Sequence, residues 1–267
     1  MFTGAQYMED ISTGGTVTAP AIAHTESAIV QLNAATSREY HALIVSARNS
    51  VTARSTLYDL LIGASGSEHH LVQDGLAQSG DSAQWWHSYI IPRRVPKGSR
   101  LSTRARADVT TGVILEINVE GLVYGLPAGV ATLQEHTNFG ADTADSGGLQ
   151  VDPGAVADTF GSWIVFSSST PFTIKYLVVI VDGKKNTAPA ASYWQWQIGV
   201  GAATTEYAKY GSPYNYVGAT IAEENAPKMF PLSVHIPAGS RLVLRAASNT
   251  TNATDRLRDV VMLAYGE

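Results

Sequence analysis

An internal repeat sets the limits on how this chain can fold. The segment Pro96-Lys-Gly-Ser-Arg-Leu-Ser-Thr-Arg-Ala105 matches Pro237-Ala-Gly-Ser-Arg-Leu-Val-Leu-Arg-Ala246 at seven of ten positions. The offset between the two copies grows only from 133 residues near the N-terminus to 141 here. Further matches keep the same order, which chance does not easily produce: Gly14-Gly15 with Gly147-Gly148, Leu43–Val45 with Leu177–Val179, and Ile62-Gly63 with Ile198-Gly199.

The repeat divides the 267 residues into four parts. We predict an N-terminal arm over residues 1–13 and a first β-sandwich over 14–124. A connection over 125–146 leads to a second β-sandwich over 147–267. Each copy is long enough to bury a core of its own.

Both copies carry the alternation of apolar and polar residues that is typical of half-buried strands. Clusters of Gly, Pro, Asn and Ser separate these strands, and no stretch keeps a helical period. The sequence therefore predicts an all-β chain of two tandem jelly-roll-like antiparallel β-sandwich domains that arose by internal duplication. The side chains that we expect to point into the two cores are Tyr58, Leu60 and Ile62, and Trp194, Trp196 and Ile198.

Composition excludes several classes of protein. The net charge is −5, which argues against a basic nucleic-acid binder, and only 15% of residues are charged, against roughly 25% in ordinary domains. The chain has no cysteine, so disulfides and thiolate metal sites are impossible. Glu9 and Asp10 stand where an export signal needs a basic start, and the longest aliphatic run, Leu177–Val181, is too short to span a membrane. We therefore expect no nucleic-acid partner, no membrane span and synthesis in the cytoplasm.

The Pro-x-Gly-Ser-Arg block is mainly a turn. Proline fixes φ, glycine takes a conformation that a Cβ forbids, and the arginine opens a strand. The alternative is an outward basic row that meets acidic groups of a partner subunit. Its members would be Arg100, Arg104, Arg241 and Arg245.

Aromatic side chains in loops are candidate ligand contacts. Exposed rings on a β-sandwich can stack on sugars or anchor a protein interface, and they can equally fill a core or cover a loop. The candidates are Trp85, Trp86, Tyr210 and Tyr214.

No catalytic pattern is recognisable. The sequence lacks His-Glu-x-x-His and Gly-x-Ser-x-Gly, and it lacks the glycine-rich phosphate loops. We therefore predict no metal site, no cofactor and no catalytic activity.

Several turn segments are similar to those of tailed-bacteriophage virion proteins. They are Gly140-Ala-Asp-Thr-Ala-Asp-Ser-Gly-Gly148, Val151-Asp-Pro-Gly154, Gly161-Ser-Trp163 and Ile236-Pro-Ala-Gly-Ser-Arg-Leu242. The resemblance covers both repeats and is closer in the second. It implies a structural component of a phage particle, located in the tail or decorating the capsid, and it carries over no catalytic residue.

From the duplication and this resemblance we predict a virion protein that acts through contacts with other virion proteins and with its own copies, as a trimer or ring. The arm would be mobile alone and would attach to a partner through Phe2, Tyr7, Met8 and Ile11. One alternative is a fibre component that binds a receptor or a cell-surface glycan. A more distant one is a polysaccharide-degrading enzyme on the same scaffold.

Overall fold

The structure is a computed structural model. It describes residues 8–12, 14–50, 54–79, 86–108, 113–123, 133–181, 192–211, 215–217, 228–251 and 258–267. Twenty strands lie in these ranges. All of the strand pairs that they form are antiparallel. Within the same ranges, no helix is long and apolar enough to cross a lipid bilayer.

Nine strands build the first domain. They are β1 (Met8–Asp10), β2 (Gly15–Thr18), β3 (Val30–Asn33), β4 (Ala42–Asn49), β5 (Arg54–Ile62), β6 (His69–Ser79), β7 (His87–Ile91), β8 (Leu101–Ala107) and β9 (Ile114–Leu122).

Eleven strands build the second domain. They are β10 (Glu135–Phe139), β11 (Ala141–Asp142), β12 (Gly147–Val151), β13 (Ile164–Ser167), β14 (Ile174–Val181), β15 (Ser192–Val200), β16 (Tyr207–Gly211), β17 (Asn215–Val217), β18 (Lys228–Ile236), β19 (Leu242–Ser248) and β20 (Arg258–Gly266).

The two domains share one topology, that of an eight-stranded jelly roll. In the first domain, β2, β9, β4 and β7 form one sheet, and β3, β8, β5 and β6 form the other. In the second, the corresponding orders are β12, β20, β14, β18 and β13, β19, β15, β16. Strand β1 pairs with β9 as β10 pairs with β20. The predicted fold class is therefore confirmed, and the duplication extends to the eight jelly-roll strands of each sandwich, whereas, among the described residues, β11 and β17 occur only in the second.

The repeated Pro-x-Gly-Ser turn sits at the same topological position in both domains, before β8 and before β19. Gly98 and Gly239 have φ of 80° and 78°, which a side chain would strain. A threonine from the loop after β3 or β13 fixes each turn: Thr36 Oγ1 donates to the Pro96 carbonyl at 2.8 Å, and Thr170 Oγ1 donates to that of Pro237 at 2.9 Å. These contacts support the structural interpretation of the motif.

The predicted core residues do point inward. On strand β5, however, the two copies are equivalent at positions other than those that the sequence match gave. Ile62 pairs with Leu101, and its counterpart opposite Leu242 is Val200 rather than Ile198. The sequence alignment was thus wrong by two residues on this strand. Since side chains alternate with a period of two, the shift leaves every residue on its predicted face.

The domains pack through an apolar sheet face of the second domain. Strands β10, β18 and β20 lie against β6 and β7, the open edge of the first sandwich. The outward side chains that join the first domain's core there are Val178, Ile180, Val261, Leu263 and Tyr265. Asn138 Nδ2 adds hydrogen bonds to the carbonyls of Gln73 at 2.7 Å and Asp74 at 3.0 Å. Strand β20 is consequently buried on both faces.

Two predicted boundaries need correction. Met8–Asp10 is a strand on β9, and Ile11 is only 4% exposed in the first core. The Ser12 hydroxyl accepts a hydrogen bond from the Val119 amide at 2.6 Å. The end of the arm therefore belongs to the first domain, and deleting residues 1–13 would remove core contacts. Similarly, β10 and β11 fall inside the predicted connection, yet they belong to the second domain because β10 pairs with β20.

Candidate functional site

An arginine occupies the same position on the outer face of each domain. Arg104 on β8 pairs with Asp59 on β5, and Arg245 on β19 pairs with Gln197 on β15. The segment before β3 also matches that before β13. The Ser27 and Gly161 amides donate to the carbonyls of Ala105 and Ala246, which are themselves equivalent. Glu26 therefore corresponds to Phe160. We call the two places the Arg104 site and the Arg245 site.

At the Arg104 site, the guanidinium group binds two carboxylates. Arg104 Nε donates to Asp59 Oδ2 at 2.7 Å, and Arg104 Nη1 lies 2.6 Å from Glu26 Oε2. Arg106 forms a second ion pair with Glu26. His70 Nε2 lies 3.1 Å from Asp59 Oδ2. The Asp59 side chain is only 3% exposed, so this network compensates a buried charge.

A β-bulge brings a second carboxyl group to Asp59. Strand β6 places both Gln73 and Asp74 opposite Asp59, because Tyr58 pairs with Gly75 and Leu60 with Val72. Asp74 takes a φ of 48° there, and its amide donates to Asp59 Oδ1 at 2.8 Å. Bulges of this kind re-aim side chains.

The two carboxyl groups respond to burial in opposite ways. Burial acts to raise the pKa of Asp59, but hydrogen bonds from His70, the Asp74 amide and Arg104 hold it below the usual range. The pKa of Asp74 is raised, first by burial and then by the negative charge of Asp59. Ionised Asp59 is thus stabilised by the fold, whereas ionised Asp74 is not.

We expect Asp74→Asn to raise the free energy of unfolding at neutral pH by about 1 kcal/mol. Asparagine tolerates the left-handed backbone and places no charge beside Asp59. A raised folded-state pKa means that ionised Asp74 destabilises the fold above that pKa, and that the penalty disappears as the pH falls through it. The gain should therefore fade in acid when unfolding of both proteins is followed across pH. A loss at neutral pH would show that the Arg106 contact with Asp74 matters more.

The domain junction borders the Arg104 site. The His136 ring of β10 lies 6.4 Å from the ring of His70 and stacks on Tyr265. Arg93 Nη1 donates to His136 Nδ1 at 2.9 Å. Burial, followed by the charge of Arg93, lowers the pKa of His136 to about 4. This histidine is therefore neutral at physiological pH, and it accepts a hydrogen bond from Arg93.

At the Arg245 site, neutral groups replace the carboxylates. Arg245 Nε and Nη2 both donate to Gln197 Oε1, at 3.0 and 2.8 Å. The guanidinium carbon lies 4.2 Å from the centre of the Trp163 ring and 4.9 Å from that of Phe160. No ion pair joins Arg245 to a carboxylate of the described residues. The site thus holds its cation by cation–π contacts and one amide.

A concavity of about 310 Å³ adjoins the Arg245 site. Residues 153–156 and 159–162 of the loop between β12 and β13 line it, and Phe160 is common to the concavity and the arginine contact. The space around the Arg104 site is closed by its own charged side chains. Among the described residues, no group of three or more His, Asp or Glu could hold a metal ion.

The predicted outward basic row needs correction, because its arginines bind groups of their own chain. Arg100 Nη1 lies 2.5 Å from Glu68 Oε1, and Arg241 pairs with Glu206 in the same way. Each glutamate sits in the hairpin that joins a central strand of the sheet to its edge strand, β5 to β6 for Glu68 and β15 to β16 for Glu206. Arg104 and Arg245 hold the two sites described above. None of the four extends freely from the surface as an unengaged cation.

The predicted aromatic candidates do not form one site. Trp86 is exposed in the first domain, with the Arg48 guanidinium 4.7 Å from its ring centre. Tyr210 is half-buried in the second domain, and its hydroxyl accepts a hydrogen bond from the His235 amide at 3.0 Å. Trp85 and Tyr214 lie outside the described residues, as do Phe2 and Tyr7 of the arm, whereas Met8 is exposed on β1. The sequence analysis did not select Phe160 or Trp163 as ligand contacts.

No protein-family model matches this chain, and no curated protein matches it. Among solved structures, it is similar to a recombinant N-glycanase F (PNGase F) at 10% identity and a TM-score of 0.45, over 97% of this chain and 96% of that one. It is also similar to PNGase F, a glycosylasparaginase from Flavobacterium meningosepticum, at 11% identity and a TM-score of 0.37, over 100% and 95% of the chains. A third is the CBM22-1-CBM22-2 tandem domain of Paenibacillus barcinonensis Xyn10C, at 11% identity and a TM-score of 0.29, over 100% and 99%.

The prediction that the chain is not an enzyme has to be corrected. N-glycanase F is an enzyme by its name, and it is similar to this chain over almost its whole length. The lack of a recognisable catalytic motif on a tandem β-sandwich is therefore no ground for excluding catalysis. At these identities and TM-scores the likeness concerns the fold and transfers no activity to this chain.

Proposed function

We propose that this chain is a subunit of a tailed-phage particle, in the tail or on the capsid, and that it acts through contacts with neighbouring subunits. The observation that carries the proposal is the way its two copies dock. A sheet face of the second domain covers the open edge of the first, formed by β6 and β7. The resemblance of its turn segments to phage virion proteins also supports the proposal.

A face-on-edge contact between similar domains can be repeated. Each partner uses a different surface, so the contact is heterologous, and repeated heterologous contacts produce rings or filaments. Within the described part of one chain, the outer face of β4, β7 and β9 and the edge formed by β16 and β18 remain uncovered by the other domain. A neighbouring copy can join these two surfaces. A trimer built in this way would place six similar domains around its axis.

The free face of the first domain has the mixed character of a separable interface. Ile90 and Trp86 are each 43% exposed, and Ile114 is exposed at the far end of the same face. Arg48 and Glu116 form an ion pair at 2.6 Å on the same face. Aromatic residues and arginine are enriched in such interfaces. The matching face of the second domain is more apolar because it is permanently covered.

Ile90→Arg tests the proposed contact. It should prevent assembly and incorporation into particles while leaving the fold intact, since residue 90 faces outward. Ile22→Arg is the matched control, because Ile22 is 67% exposed and lies in the loop between β2 and β3, outside the strands of this face. Mass in solution and peptide mass spectrometry of purified particles are the measurements. Absence of the wild-type protein from particles, or unchanged assembly of Ile90→Arg, would overturn the proposal.

A further inference from the structure

The Arg104 site shows what an arginine at this position binds. It holds two carboxylates, Asp59 and Glu26, within 2.7 Å of its nitrogens. The Arg245 site has the same backbone framework, but Gln197 and Phe160 stand at the positions of those two carboxylates. The two copies therefore share the cation, but only the first has carboxylates at these two positions.

The guanidinium of Arg245 is positioned to receive an external anion. Its Nε and Nη2 atoms bind Gln197, and no described residue accepts a hydrogen bond from Nη1. Cation–π contacts with Trp163, at 4.2 Å, and Phe160, at 4.9 Å, hold the group in place. The terminal edge of a fixed, planar guanidinium suits the two oxygens of a carboxylate.

Other carboxylates do not take this role. Asp152 Oδ1 accepts a hydrogen bond from the Gly154 amide at 2.8 Å. Glu206 is paired with Arg241. Within the described part of the chain, the hydrogen bonds of Arg245 go to Gln197, and no carboxylate forms an ion pair with it.

The adjoining concavity indicates what carries the carboxylate. Its volume of about 310 Å³ lies at the small end of the range of roughly 300–1,000 Å³ for ligand pockets. An aromatic residue, Phe160, and two residues with hydroxyl groups, Thr159 and Ser162, are among those that line it. An aromatic ring packs on the apolar face of a pyranose while hydroxyl groups bind its rim. We propose that the Arg245 site binds an acidic saccharide, with the carboxylate of a uronic-acid-type sugar on Arg245 and its ring in the concavity.

Calorimetric titration of the full chain tests this proposal with two matched probes, methyl β-D-glucuronide and methyl β-D-glucoside. The glucuronide should bind at least tenfold more tightly, because only it carries the carboxylate. A short glutamate-containing peptide should not compete. Binding of neither sugar, equal binding of both, or equally tight binding of the peptide would overturn the proposal.

Two variants and one control locate the site. Arg245→Gln removes the cation, and Phe160→Glu restores at this site the internal carboxylate that Glu26 provides in the first domain. Each should weaken glucuronide binding at least tenfold with a thermal transition close to that of the wild type. Arg94→Gln removes an exposed arginine of the first domain and should bind as the wild type does. Unchanged binding in folded Arg245→Gln or Phe160→Glu would overturn the proposal, and neither outcome bears on subunit assembly.

Discussion

Trp196→Ala is expected to lower the free energy of unfolding by about 3–5 kcal/mol, the usual cost of truncating a buried aromatic residue. Trp196 is 1% exposed in the second core. Its ring meets that of Phe230 edge to face, with 5.3 Å between the ring centres. Alanine would remove these contacts, and the surrounding β-sandwich can only partly close the space. Urea unfolding followed by circular dichroism measures the loss.

Tyr193→Ala provides the matched control on the same strand. Tyr193 is also aromatic, but it points to the opposite face and is 50% exposed, so its loss should cost under about 0.5 kcal/mol. Similar losses of unfolding free energy for the two variants would mean that buried and exposed side chains do not alternate along β15. A loss below about 1 kcal/mol for Trp196→Ala would contradict the assignment of the inner face.

The repeat and the two-residue alternation were sufficient to predict the fold class. Both depend on local properties, namely turn chemistry at Gly98 and Gly239 and the faces of β5 and β15. Neither property fixes register, since a shift by two residues keeps every side chain on its face. Matching Ile62 to Ile198 was therefore compatible with the pattern, and only the ladder to β8 and β19 shows that Val200 is its partner.

The sequence contains an indication of which domain face is covered at the domain junction. Strand β9 alternates, with Glu116, Asn118 and Glu120 on its outer face, whereas its copy β20 is apolar at Val260–Tyr265. A strand buried on both faces reads as a continuous apolar run. Comparing the two copies therefore indicates which domain covers the other. Recognising the covered edge requires tertiary structure, because β6 and β7 come from different sheets.

The two arginine sites could be predicted only in part. The repeat identifies Arg104 and Arg245 as equivalent, and strand alternation places both outward. Their partners Glu26 and Phe160 lie about eighty residues earlier in the chain, in a segment where the two copies have little sequence in common. Backbone pairing to β8 and β19 brings these residues to the arginines. Strand alternation cannot show that pairing, and it therefore left an outward basic row that meets a partner subunit as the alternative.

The same substitution is expected to cost much more stability at the Arg104 site than at the Arg245 site. Arg104→Met should lower the free energy of unfolding by about 3–5 kcal/mol, because it leaves the buried Asp59 charge without its guanidinium partner. His70 alone then faces Asp59 Oδ2. Arg245→Met should cost within about 1 kcal/mol, since its partners Gln197, Phe160 and Trp163 are neutral and methionine retains apolar contact with both rings.

The pH dependence separates lost charge compensation from lost packing. Since the pKa of Asp59 is held below its ordinary value, its ionised form stabilises the folded state at neutral pH, and that contribution is lost as the pH falls through the depressed pKa. The loss of unfolding free energy caused by Arg104→Met should therefore be largest at neutral pH and should shrink in acid. The loss caused by Arg245→Met should not change with pH. Denaturant unfolding of both variants and the wild type at several pH values measures this. Equal, pH-independent losses would show that Arg104 stabilises the first domain by packing, and that the carboxylates around it are not its essential partners.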